Sequence, residues 1–126
     1  MEETFNKARE LGELMLKSPL SVRLEAARNA FDNDMEARET LFDYNRKNRR
    51  VEELMEKNGS AEEFRQANEE LHEALEKLQA DKVIEELVTC ESRFNNYVNQ
   101  ILNIVKATVL GDESCSGNCS GCSGCH

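Results

Sequence analysis

Four of the five cysteines stand in the last eleven residues before the C-terminal histidine, as Cys115, Cys119, Cys122 and Cys125. Their spacing is C-x3-C-x2-C-x2-C, and the spacers are only Ser, Gly and Asn. No residue in that stretch can build a core, so the thiols are not there for packing. Small spacers with permissive φ angles let a short backbone wrap until several sulfurs point at one centre. Thiolates converging at such spacings suit an iron–sulfur cluster, and the ferredoxin-type run C-x2-C-x2-C-x3-C has the same intervals in mirror order. Zinc is the main rival, because tetrahedral four-cysteine sites tolerate short spacings, although structural zinc sites more often use two separated knuckles. A reversible dithiol switch fits the C-x2-C pairs. A disordered Gly/Ser-rich tail with incidental thiols is the bland alternative, and clustered cysteines weigh against it. His126 offers an imidazole and a terminal carboxylate as further ligands, set against the ordinary fate of an end residue in solvent.

The first three of these cysteines also have the C-x3-C-x2-C spacing that resembles the cluster loop of radical SAM enzymes. The barrel pattern of those enzymes is missing, so their activity is not carried over. The remaining chemical candidates read as structural. Cys90 falls on an apolar helical row, where a free cysteine behaves as a small hydrophobe. His72 sits among Glu69, Glu70 and Glu73 on a solvated face. The run Arg46-Lys47-Asn48-Arg49-Arg50 is the one basic block, and on a helix it spreads around much of the circumference. Ion pairing with the many glutamates is its default role, and docking of an acidic partner or weak RNA contact is the sharper one. There is no Gly-rich phosphate loop, Ser/His/Asp set, HExxH motif or paired-carboxylate constellation. Nothing here argues for an enzyme.

The body that must carry these residues is acidic. Its formal net charge of −9 over 126 residues argues against wholesale binding of nucleic-acid phosphates. The start Met1-Glu-Glu-Thr lacks the basic and apolar regions of a signal peptide. No apolar run approaches the roughly 18 residues of a membrane span. The expectation is a cytoplasmic protein whose thiols meet a reducing environment, where cysteine clusters signal metal or redox chemistry more often than disulfides.

One proline and the abundance of Glu, Leu, Ala, Lys and Arg favour helices throughout. The apolar spacing predicts a first helix over about 2–17, ending at Ser18-Pro19, where serine caps and proline suits the first turn. A long helix follows over about 19–57, its apolar stripe displaced between the halves, as if it changes packing partner partway. Asn58-Gly59 stops it, and Ser60-Ala-Glu-Glu63 reads as a capping box for the third helix. Asp81 is a plausible cap for a fourth, over about 81–110. That last helix holds two adjacent apolar rows, one through Leu87, Cys90, Phe94, Tyr97, Ile101 and Ile104, the other through Ile84, Val88, Val98, Leu102, Val105 and Val109. A face so wide asks for more than one neighbour. The prediction is an all-α antiparallel hairpin or bundle of about four helices, two of them long, with a disordered Cys/Gly/Ser-rich C-terminal tail. The core is thin for the chain's length, so an oligomer is expected.

The order of these elements resembles a known family. A short first helix is followed by a Ser-Pro break and a long second helix with Phe31, Met35, Phe42 and Val51. A glycine break at Gly59 then leads to a final apolar helix around Phe94-Asn-Asn-Tyr97-Val98. This pattern, over roughly residues 1–110, is similar to the YlbF/YmcA family of small bacterial regulators, and the tail looks like the cysteine-rich ending of anaerobe-type members. The expected organisation is a helical YlbF/YmcA-like domain at 1–111 and a flexible cysteine-rich metal- or cluster-binding tail at 112–126. The resemblance further implies homodimers or hetero-oligomers with paralogues, and complexes with a YaaT-type partner. By the same resemblance, these complexes are associated with 4Fe-4S clusters, control of competence, sporulation and biofilm formation, and RNase Y-dependent mRNA processing. Carried to this chain, the cluster ligands are Cys115, Cys119, Cys122 and Cys125. The resulting expectation is a non-enzymatic regulatory adaptor. The alternatives are a zinc- or metal-delivery module, or a structural helical subunit with a thiol redox tail.

Overall fold

The computed structural model describes residues 1–111, which form five α-helices and, among the described residues, no strand. They are α1 (Glu2–Leu16), α2 (Pro19–Asp32), α3 (Met35–Glu56), α4 (Ala61–Ala80) and α5 (Lys82–Leu110). The all-α class is as expected, but the helix anticipated over 19–57 is two helices. Asn33 and Asp34 leave the helical conformation, and Asp34 Oδ1 accepts the Ala37 N–H at 3.0 Å to start α3. Asn33 meanwhile donates both its backbone N–H, at 3.1 Å, and its side-chain amide, at 2.9 Å, to the Asn29 carbonyl, which fixes the end of α2. Short polar side chains that bond their own backbone compete with helix continuation, and here two in succession win.

The other boundaries follow local chemistry. Ser18 Oγ accepts from the Ser21 N–H at 3.2 Å, with Pro19 at the first helical position of α2. Ser60 and Glu63 form a reciprocal capping box at α4. Asp81 Oδ1 accepts from Val83 and Ile84 N–H at 2.9 and 3.1 Å and so opens α5. At the end of α3 the Gly59 N–H bonds the Leu54 carbonyl at 2.9 Å, a Schellman closure. The left-handed residue of that closure is Asn58, at φ 51°, not the glycine. Gly59 is needed for space. A Cβ there would lie 2.7 Å from Leu54 Cδ2 and 3.3 Å from Leu54 Cβ.

The chain divides into two compact units, Met1–Glu91 and Ser92–His126. In the first, α3 packs chiefly along α4. Its buried apolar residues are Leu24 and Ala27 of α2, Ala37 and Leu54 of α3, Ala67 and Ala74 of α4, and Ile84 and Cys90 of α5. Ala67 and Ala74 stand two turns apart on one face, and their small side chains allow close helix approach. Leu24, Leu54 and Ile84 are the large aliphatic side chains among them, each contributing about 1.5–3 kcal/mol.

In the second unit, described to residue 111, α5 continues to Leu110, and Gly111 at φ 75° supplies the left-handed stop. Phe94 and Tyr97 meet edge to face, with centroids 6.2 Å apart and planes at 82°. Farther along, Leu102, Ile104, Val105, Val109 and Leu110 are all exposed. The wide apolar face foreseen for this helix exists, and over these residues it remains open to solvent.

Candidate functional site

The five residues expected to hold a metal or cluster, Cys115, Cys119, Cys122, Cys125 and His126, lie outside the described residues, as does the expected disorder of the tail. Among the described residues, no group of three or more His, Cys, Asp or Glu side chains is placed to hold a metal ion.

Cys90 is 4% exposed, and its thiol donates to Glu86 Oε1 at 3.2 Å, one helical turn back. The same oxygen accepts from Arg23 of α2 at 3.4 Å. The site is a packing position with a polar contact at its margin, in keeping with the core role read from the apolar row. His72 is exposed on α4 and pairs with Glu76 at 3.1 Å. That is the helix-surface arrangement its neighbours implied.

The basic run is where the structure adds most. Arg46, Lys47, Arg49 and Arg50 of α3 line one surface groove of about 520 Å³, together with Glu53 of α3 and Glu70 of α4. Although five contiguous residues spread around a helix, Arg46, Arg49, Arg50 and Glu53 follow the i, i+3, i+4, i+7 pattern of a single stripe. Counting contiguous residues hides this. Asn48 falls off the stripe and is half-buried.

Electrostatics divides the four cations. Asp43 Oδ1 accepts from Arg46 at 2.6 Å, and Lys47 Nζ lies 3.1 Å from Asp43 Oδ2. The hydrogen bond from Arg46, followed by that from Lys47, holds the Asp43 carboxyl below the usual carboxylate range. Arg49 and Arg50 are exposed, and neither has an ion-pair partner within 4.0 Å among the described residues. Phe42, one turn before Arg46 on the same face, is 68% exposed.

A family model described as control of the competence regulator ComK, YlbF/YmcA, matches residues 4–109. The chain belongs to the YlbF/YmcA family. The match takes in the body of all five helices, so the family's regulatory type applies to the helical part of the chain. The four clustered cysteines lie beyond it. No curated protein and no solved structure shows significant similarity. No helix among the described residues is long and apolar enough to cross a membrane.

Proposed function

We propose that this YlbF/YmcA-type regulator works as a non-enzymatic cytoplasmic adaptor that assembles through its helices and binds an iron–sulfur cluster through its C-terminal cysteines. The structural observation that supports assembly is the run of exposed apolar side chains at Leu102, Ile104, Val105, Val109 and Leu110. A helical stretch with that much open apolar surface gains stability by covering it with another chain, a paralogue or a YaaT-type partner. Competence control follows from the family. Sporulation, biofilm formation and RNase Y-dependent mRNA processing belong to the same proposal.

The support for the cofactor is the donor set. Cys115, Cys119, Cys122 and Cys125 supply four thiolates within eleven residues, the ligand number of a 4Fe-4S cluster. Thiolate donors equally suit zinc, and the terminal His126 would add a nitrogen or oxygen to either. A cluster held there would respond to iron and oxidant, which gives an adaptor a signal to report. Only the tail cysteines and His126 are assigned to it.

The test is anaerobic purification of the full chain, with iron, acid-labile sulfide and zinc determined alongside the visible absorption spectrum. Iron and sulfide in equal amounts with a brown chromophore are expected, lost when Cys119→Ser and Cys122→Ser are combined. Light scattering of the same preparations reads the assembly state. Colourless protein with stoichiometric zinc would favour the metal-delivery reading and overturn the cluster. A strictly monomeric chain would overturn assembly without a partner.

A further inference from the structure

We infer that the groove over α3 is a docking site for a short helical segment of a partner protein that carries two carboxylates followed by a basic residue. This deepens the adaptor reading, on which it rests, by naming the chemistry of a partner. Three observations point the same way. The chain has a net charge of −9, yet one groove gathers Arg46, Lys47, Arg49 and Arg50. Within it Arg49 and Arg50 have no acidic partner within 4.0 Å among the described residues, although the chain holds 25 acidic residues. An exposed aromatic ring, Phe42, continues the same stripe by one turn.

The pattern of charge selects the class of ligand. Among the described residues, Arg49 and Arg50 are the two unpaired cations of the groove, while Arg46 and Lys47 stay with Asp43. The long side chains of Arg49 and Arg50 can meet two carboxylates one turn apart on a partner helix. Arginine forks bind such carboxylates through paired N–H donors, which gives geometric specificity as well as attraction. Farther along the groove the sign reverses, with Glu53 one turn after Arg49 and Arg50 and Glu70 facing from α4. A polypeptide can supply a lysine or arginine there. A nucleic acid carries no cation to place there and brings phosphate charge, so Glu53, Glu70 and the chain's net charge all act against it. Phe42 offers a flat apolar surface on which a leucine or methionine of the segment can rest.

The experiment uses the full chain and a fluorescein-labelled helical peptide carrying two glutamates one turn apart and a lysine two turns beyond the first. Fluorescence anisotropy is read at low and moderate salt. Binding that weakens with salt is expected, and R49E combined with R50E should lower affinity at least about tenfold, since two partly exposed ion pairs are replaced by repulsion. A peptide with lysines in place of its glutamates should then bind the reversed chain better than it binds the wild type. Far-UV circular dichroism controls for folding, and R49Q with R50Q provides a milder pair of changes. No binding to the wild-type chain, an unchanged affinity in both arginine pairs, or tighter binding of oligouridylate than of the peptide would each overturn the inference. Iron is measured in the same preparations. Peptide binding by iron-free protein would separate the failure of the cluster reading from the failure of this one.

Discussion

The close approach of Gly59 to Leu54 can be tested by a double-mutant cycle. In Gly59→Ala the new Cβ falls 2.7 Å from Leu54 Cδ2 and 3.3 Å from Leu54 Cβ, so the leucine must move within a buried position. Overpacking of this kind costs about 1–3 kcal/mol. The glycine's φ lies outside the left-handed region, so alanine there also restricts the unfolded chain, a gain of about 0.4–1 kcal/mol. The net loss for the single change is then about 1 kcal/mol. Leu54→Ala alone removes a buried side chain and should cost about 2–3 kcal/mol, near the low end for leucine because the residue retains 9% exposure. With Leu54 already truncated, its Cδ2 is gone and the alanine at 59 meets only the remaining Cβ. Gly59→Ala should therefore become neutral or stabilising in that background, a coupling of about 1.5 kcal/mol. Urea denaturation followed by far-UV circular dichroism, at one fixed protein concentration, gives all four corners of the cycle. Equal costs of Gly59→Ala in both backgrounds would refute the steric argument. The penalty would then lie in the backbone of the Asn58–Gly59 closure.

Two further outcomes follow from local geometry. Ser60→Ala breaks the reciprocal capping box with Glu63 and should lower stability by about 1 kcal/mol, with Ser60→Asp recovering most of it in the same denaturation assay. Asp43 has a lowered pKa in the fold, so its pairs with Arg46 and Lys47 stabilise above the usual carboxylate value and are lost as pH falls through the lowered one. Asp43→Asn should therefore flatten the acid limb of the stability profile by less than about 1 kcal/mol, because the pairs are solvent-screened. A limb as steep as in the wild type would show that the pairs contribute nothing.

Much of the fold was legible because helix punctuation is local. Ser18-Pro19, Asn58-Gly59 and Ser60…Glu63 each state a boundary within a few residues, and the structure places boundaries at all three. Asn33-Asp34 does not declare itself as a boundary, because apolar residues continue on both sides of it. A stripe displaced between two halves was the available sign, and it marks a change of helix as readily as a change of partner. Cys90 and His72 were readable from the company they keep on a helix face. The groove was not, since it depends on Glu70, which α4 brings in from another part of the sequence, and on a spacing that a contiguous run conceals. The clustered cysteines are legible in composition and spacing alone. Their reading rests on donor chemistry and on sequence resemblance.

The choice of alanine for the closest packing has a thermodynamic consequence. Among the described residues four of the eight buried apolar positions are alanine, and one more is cysteine. The heat-capacity increment of unfolding scales with the apolar surface newly wetted, at about 0.45 cal/mol/K per Å². A core of such short side chains keeps that increment small, and a small increment gives a broad, shallow curve of stability against temperature. Such a regulator changes its folded population gradually as its surroundings cool or warm.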